Sequence, residues 1–192
     1  MTRLTMAGTK YGVIIADPPW SYGFGLRGAA SHEYPLMTNA ELAALPVVDL
    51  AAPDSVLLMW ATWPKLNEAC LPLMEAWGFR YVTGFPWVKI TEIYQTLWGG
   101  VEIKVPYGIG YWARGASELV LIGKRGNAKP PDAGWIGLLS ENLYHSRKPD
   151  NLHEYAESLP GPYLELFARR PRAGWDVFGN QVAGSIELPM AL

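Results

Sequence analysis

The chain has 192 residues, 49% of them hydrophobic and 18% charged, which is enough apolar material for a buried core and excludes a disordered chain. Sixteen Lys and Arg against 18 Asp and Glu leave a net charge of -2, excluding a general polycation that coats nucleic acid while leaving a local basic patch open. A single cysteine, Cys70, excludes an internal disulfide, and with three scattered histidines it makes a poor metal set, so no metal is expected.

Tyr11 to Ala16 is a short apolar run with β-branched residues, as in a buried strand. It stops at Asp17-Pro18-Pro19-Trp20, because two prolines cannot continue a ladder. Ser21 to Ser31, rich in Gly and Ala, reads as a loop. Thr38 with Glu41 three residues later is a capping-box pattern that opens a short helix to Leu45. Ser55 to Trp60 is a second strand. Pro64 to Trp77 carries Leu66, Ala69, Cys70, Leu73, Met74 and Trp77 at helical spacing and ends at Gly78, which predicts a helix with a glycine C-cap. Strand character returns at Arg80 to Lys89.

Thr91 to Arg114 is aromatic and Gly-rich without clear periodicity, so it reads as a long functional or interface loop. Glu118 to Ile122 is a strand followed by a Gly-Lys-Arg-Gly turn, and Lys129 to Asn142 reads as irregular. Asp150 to Leu159 fits a helix, Tyr163 to Ala168 a strand and Trp175 to Gly179 a short strand. Alternating strands and helices predict an α/β sheet with helices on its faces, in one domain spanning 1–192. No apolar run of about 18 residues predicts a membrane span. Met1 to Lys10 lacks an apolar signal core, so a cytoplasmic location is expected.

The most informative residues are Asp17-Pro18-Pro19-Trp20, directly after a buried strand, where ligands of open α/β sheets gather. Prolines supply carbonyl acceptors and no N–H, so with the Asp17 carboxylate they form a rigid acceptor cluster suited to an amino group with two hydrogens to donate. Trp20 offers a face for a planar ring. An aromatic exocyclic amine is a poor nucleophile because its lone pair is delocalised. Two acceptors out of the ring plane would free that lone pair, and Asp17 would stabilise the positive charge developing on nitrogen. The alternative is a strand-ending Asp-Pro turn with a buried Trp.

Two further blocks carry chemistry. Glu165 lies within the apolar run Tyr163 to Ala168, where an unpaired carboxylate is costly, so it needs an arginine nearby or ligand hydroxyl and amino groups. Arg169 and Arg170 follow it, either as site residues or as solvated charge. In Ser146-Arg147-Lys148-Pro149-Asp150, Lys148 would neutralise a ligand carboxylate and Asp150 would cap the next helix, unless this is simply a charged loop entering that helix.

With these blocks in view, the chain resembles the permuted adenine-N6 methyltransferases, which include the catalytic subunit of the eukaryotic mRNA adenosine methylase and its bacterial and phage relatives. The shared pattern is D-P-P-W at Asp17 to Trp20, Y-P-x-M-T at Tyr34 to Thr38, L-x-x-W at Leu57 to Trp60 and W-V-K at Trp87 to Lys89. It continues with G-x-G-Y-W-x-R at Gly108 to Arg114, E-L-V-L-I-G-K-R-G at Glu118 to Gly126, S-R-K-P-D at Ser146 to Asp150, L-E-L-F-A-R at Leu164 to Arg169 and G-N-Q at Gly179 to Gln181. The ordered set spans nearly the whole chain. It implies a single Rossmann-like methyltransferase domain with a mixed sheet, helices on both faces, S-adenosylmethionine as cofactor, and a circularly permuted motif order with the catalytic block first.

The resemblance assigns Asp17, Pro18, Pro19 and Trp20 to catalysis, with Asp17 also near the amino group of the methionine moiety. Lys148 matches the lysine that meets the cofactor carboxylate. Arg169, Asn180 and Gln181 match residues around the ribose, and Glu165 the acidic position in the same pocket. Trp20, Tyr34, Arg147 and Lys148 fall on the acceptor side. Two departures stand out. The mRNA enzyme has a histidine and an asparagine shortly after the matched arginine, where this chain has Pro171 and Arg172, so Arg172 is expected to take over part of that contact. The family's adenine-contacting segment well before D-P-P-W has no counterpart among the sixteen residues preceding Asp17.

A base methylase must reach its target outside the stack. Lys124-Arg125 with Lys129, Arg147-Lys148, and Arg169-Arg170 with Arg172 are the basic clusters available to hold a nucleic acid. With no separate recognition domain, specificity is expected to be short, loose or supplied by a homodimer or second subunit, and Tyr94 to Trp112 is the candidate contact. Small stand-alone members resemble the bacterial and phage DNA methylases, so DNA adenine is the preferred substrate and RNA adenine the alternative. A catalytically silent partner subunit and an N4-cytosine methylase are the other readings. Silent partners have degenerate motifs, and N4 chemistry more often goes with Ser or Asn in place of Asp17.

Overall fold

The computed structural model describes residues 8–21, 36–105, 112–132, 138–141, 148–186 and 188. The expected strands form as β1 (Tyr11–Ala16), β2 (Ala51–Ala61), β3 (Arg80–Ile90), β6 (Ser117–Arg125), β8 (Tyr163–Leu166) and β9 (Trp175–Phe178). The remaining strands, β4 (Glu92–Gln95), β5 (Val101–Lys104) and β7 (Leu138–Glu141), lie in segments expected to be loop or irregular. Among the described residues, seven strands make one sheet in the order β7-β3-β6-β2-β1-β8-β9. All neighbours pair parallel except β6, which is antiparallel to both β2 and β3.

The apolar runs of the central strands reflect burial on both faces. Ile14, Ala16, Leu57, Met59, Leu164 and Leu166 point into one cluster, and Val13, Ile15, Val56, Leu58 and Trp60 into the other. Helices α1 (Asn39–Ala43), α2 (Val47–Leu50) and α3 (Leu71–Ala76) cover the first face, and α4 (Asn151–Glu157) covers the second with Leu152, Tyr155 and Ala156. The expected layering is therefore present.

Local chemistry explains the helix limits. Thr38 caps α1 by accepting from the Glu41 N–H at 3.2 Å, while the Glu41 carboxylate accepts from the Thr38 N–H at 2.7 Å. The helix expected from Pro64 to Trp77 is broken into a 3-10 turn at Trp63–Lys65, a π turn at Leu66–Cys70 and then α3. Pro72 has no N–H to give the ladder, and the preceding Leu71 N–H reaches back to the Leu66 carbonyl, the wider π spacing. Gly78 then ends the helix with φ of 80°, donating its N–H to Glu75 at 2.8 Å. Buried Trp77 donates its ring N–H to the Leu42 carbonyl at 2.9 Å, tying α3 to α1.

Three expectations need correction. The segment 91–114 contains the hairpin β4–β5, paired Ile93 to Ile103 and lying outside the main sheet, where a long functional or interface loop was expected. Its strands of four residues are too short to show a period among so many aromatics. β6 runs through the expected Gly-Lys-Arg-Gly turn to Arg125, because pairing with β2 on one side and β3 on the other overrides turn composition. β7 forms in a Pro- and Gly-rich stretch by adding to the edge of β3.

Candidate active site

The sheet orientation decides which residues meet. Six strands share one carboxyl edge, and antiparallel β6 brings its amino end to that same edge. Asp17 follows β1, Lys89 ends β3, Glu118 begins β6, and Arg169 follows β8, so residues spread over 150 positions converge there. The turn after β1 is held by backbone bonds: the Pro18 carbonyl accepts from the Trp20 N–H at 2.9 Å and the Pro19 carbonyl from the Met37 N–H at 2.9 Å. Each carbonyl keeps a second lone pair.

Charges alternate across the site. Lys148 Nζ lies 3.2 Å from Asp17 Oδ1 and 2.6 Å from Glu118 Oε2. Lys89 Nζ lies 2.6 Å from the other oxygen of Glu118. Arg169 approaches Asp17 Oδ2 at 3.7 Å. Lys148 also sits over the Trp60 ring at 5.0 Å. Burial alone would lower the Lys148 ammonium, but Asp17 and Glu118 outweigh it and hold Lys148 above its ordinary value. Burial would likewise raise Glu118, yet Lys148 and Lys89 hold its carboxyl below the usual range.

These residues border a cleft of about 370 Å³ lined by Asp17, Trp60, Lys148, Glu165, Phe167 and Arg169, with His153 and Arg170 among its other walls. Its floor is shaped by an unusual backbone. Phe167 takes φ of 64°, left-handed for a non-glycine residue, and the chain bends sharply off β8 so that the Ala168 N–H meets the Phe178 carbonyl at 2.9 Å. Gly179 is required opposite, since a Cβ there would lie 2.1 Å from the Ala168 carbonyl oxygen.

The expected site residues distribute as follows. Asp17, Lys148, Glu165 and Arg169 come together in the cleft. Asn180 and Gln181 are exposed in the turn after β9 and do not line it. Tyr34 and Arg147 lie outside the described residues, as does part of the Gly108 to Arg114 motif. Trp20 is 6% exposed and belongs to the core cluster beneath the turn, in line with the alternative of a buried Trp. Asp150 stands at the N-cap of α4 but makes no capping hydrogen bond; its carboxylate pairs with Arg170. Arg172 is engaged by Glu157 at 2.9 Å.

Among the described residues the partner of Glu165 is a histidine where an arginine or ligand groups were expected: His153 Nε2 lies 2.9 Å from its Oε2, and Glu165 still lines the cleft. The sequence reading assigned no role to His153, Lys89 or Glu118. Their signal was a carboxylate opening an apolar strand and a lysine closing one, which becomes informative only when β6 is known to be antiparallel. Among the described residues no cluster suited to a metal ion occurs, and no helix is long and apolar enough to cross a membrane.

Comparison with known proteins gives a consistent picture. A family model described as MT-A70 matches residues 11–181. The chain is 30% identical to the type II methyltransferase M.MunI of Mycoplasma sp, over 94% of this chain and 82% of that protein. It is 31% identical to an N(6)-adenosine-methyltransferase MT-A70-like protein of Arabidopsis thaliana, over 95% of this chain but only 25% of that protein. With the human N(6)-adenine-specific methyltransferase METTL4 it shares 30% identity, over 90% of this chain and 37% of that protein.

Proposed function

This chain belongs to the MT-A70 family and is an adenine-N6 methyltransferase, and on that premise we propose that it transfers the methyl group of S-adenosylmethionine to the N6 amine of adenine in DNA. The observation that carries this reading is the juxtaposition, at one sheet edge, of the Asp17 carboxylate and the Pro18 carbonyl with the cations Lys148 and Arg169. The cleft fits the cofactor in size and charge. Its volume of about 370 Å³ is that of a small-molecule site. Lys148 suits a ligand carboxylate, Asp17 an ammonium and Glu165 sugar hydroxyls, with Arg169, Asn180 and Gln181 assigned to the surroundings of the ribose.

When bound, S-adenosylmethionine supplies an electrophilic methyl group on a positively charged sulfonium. The chain's own residues prepare the amine that takes it. Asp17 accepts one N6 hydrogen and the Pro18 carbonyl the other, drawing the nitrogen lone pair out of conjugation. As the N–C bond formed and the methyl C–S bond of the sulfonium broke, releasing the neutral thioether, the positive charge growing on nitrogen would face Asp17, and the methylated amine would then give up its extra proton to solvent water. Lys148 and Arg169 hold the Asp17 carboxylate in place, so catalysis comes mainly from positioning and local electrostatics. Trp20 supports the turn from below, and Tyr34 and Arg147 are assigned to the acceptor side.

DNA is preferred because the similarity covers 82% of the type II methyltransferase M.MunI and only 25% of the plant adenosine methyltransferase. RNA adenosine is the second reading, favoured by the similarity to that plant protein. A homodimer or second subunit would supply sequence specificity. The test is incubation with labelled S-adenosylmethionine and, separately, unmethylated DNA and unmodified RNA, followed by nucleoside mass spectrometry. N6-methyldeoxyadenosine from DNA, lost in Asp17→Ala while nucleic-acid binding falls by less than about threefold, is the expected result. Methylated adenosine from RNA alone would replace the substrate, and equal loss of turnover and binding would make Asp17 structural.

A further inference from the structure

His153 lies on α4 and is buried between the helix and the sheet. Its Nε2 is 2.9 Å from Glu165 Oε2, and its ring stands edge-on to Trp175 with centroids 5.0 Å apart. Trp175 is itself fixed, stacked on Tyr163 at 4.9 Å and donating its ring N–H to Glu157 at 2.9 Å. The imidazole is therefore clamped by α4, β8 and β9 together. A carboxylate only accepts, so the nitrogen facing Glu165 carries the hydrogen. Nδ1 is buried with no partner among the described residues, so it is the lone-pair nitrogen: a hydrogen there would have no acceptor to serve.

We propose that His153 is a positioning residue for the Glu165 carboxylate. The Nε2–H bond to Oε2 fixes the rotation of the carboxylate and leaves its other oxygen as the acceptor presented to the cleft that both residues line. This inference rests on reading the cleft as the cofactor site and names the part of the ligand concerned. Lys148 pairs with Asp17 at the end of β1, where the amino-acid end of the cofactor is assigned, whereas Arg169 follows β8 and is assigned to the ribose. Glu165 is on β8, one strand over, at a spacing of about 4.8 Å. Its free oxygen therefore meets the neighbouring part of the molecule, the ribose with its vicinal diol, whose two hydroxyls are neutral donors for a carboxylate. A histidine that served only the core would be indifferent to those hydroxyls.

Calorimetry with S-adenosylhomocysteine and with its 2′,3′-dideoxyribose counterpart tests this on the full chain. His153→Phe keeps the ring against Trp175 and removes the donor, and His153→Gln restores a donor at similar reach. The expected result is about a tenfold weaker affinity for S-adenosylhomocysteine in the Phe variant, recovered to within about threefold by Gln, and less than about a twofold effect of either on the dideoxy ligand. In turnover, KM for S-adenosylmethionine should rise with kcat nearly unchanged. An equal loss for both ligands, or none, overturns the proposal. Should the Phe variant not fold, imidazole nitrogen NMR of the wild type decides: the His153 Nε2 resonance must move on adding S-adenosylhomocysteine and stay with the dideoxy ligand, and a resonance that ignores both overturns it. A wild type that binds neither ligand removes the cofactor reading itself, a failure distinguishable because the native chain is then silent.

Discussion

Glu118 stands between two lysines at 2.6 Å each, and through Lys148 it is linked to Asp17. Removing its charge would leave Lys148 partly buried with a single counter-charge. Breaking such a pair from one side costs about 3 kcal/mol, the low end for a buried pair because both side chains keep some exposure. Glu118→Gln should lower the unfolding free energy by that order near neutral pH, read by denaturant titration. The Glu118 carboxyl is lower in the folded than in the unfolded chain, so its contribution is present above the ordinary carboxylate range and lost as pH falls through the folded value. The wild type and the variant should therefore converge in acid. Lys148 is raised, so its contribution is present below its unfolded value and lost only as pH rises through the folded one, above 10.5. Persistence of the stability difference in strong acid would count against this network. Asp17 was legible from D-P-P-W, whereas Glu118 was not, because a carboxylate at a strand end means nothing until its cationic neighbours are known.

At the level of elements, the bend after β8 and the turn after β9 are built as one unit. Phe167 is left-handed, and Gly179 passes within contact of Ala168, leaving no room for a methyl group. Gly179→Ala should cost about 2 kcal/mol through forced backbone displacement and should weaken S-adenosylhomocysteine binding as well, measured by thermal unfolding and calorimetry. Stability and affinity both at wild-type level would show that the bend tolerates a side chain. The β4–β5 hairpin behaves in the opposite way. Leu97 and Trp98 at its tip are essentially fully exposed, in contrast to Trp77, which is buried and hydrogen-bonded. Trp98→Ala should leave the melting temperature within the ordinary surface range, about 0.5 kcal/mol in stability, and a larger drop would mean that the ring packs in solution. The aromatic richness of this segment was visible in the sequence, but its hairpin was not. The Thr38 cap and the Gly78 helix end were legible because they are local; the π turn was not, because the apolar spacing from Pro64 to Trp77 is that of one continuous helix.

For the whole molecule, the antiparallel course of β6 carries the Lys124–Arg125 cluster away from the cleft bordered by Lys148, Arg169 and Arg170. Lys124 and Arg125 end β6 opposite Val56 and Ser55, at the amino edge of β2, roughly 20 Å or more from Glu118 along a strand of this length. Arg125 is also engaged with the carbonyl of Val48 at 2.6 Å. Lys124→Ala should accordingly leave DNA affinity and its salt dependence unchanged, while Arg170→Ala beside the cleft should reduce the salt slope by about 1 in a fluorescence-anisotropy titration. A reversal of those two results would move the nucleic-acid path to the far edge of the sheet. By itself the sequence determined the strands with two buried faces, the capped start of α1, the Asp-Pro-Pro-Trp turn and the family resemblance, because periodicity, capping and turn chemistry act over a few neighbouring residues. The tertiary structure alone decided that β6 runs against its neighbours, that His153 meets Glu165, that Lys89, Glu118 and Lys148 converge on Asp17, and that Trp20 belongs to the core. Those outcomes depend on strand order and direction, which bring residues as distant in sequence as Asp17 and Lys148 to 3.2 Å and leave no periodic trace in the chain.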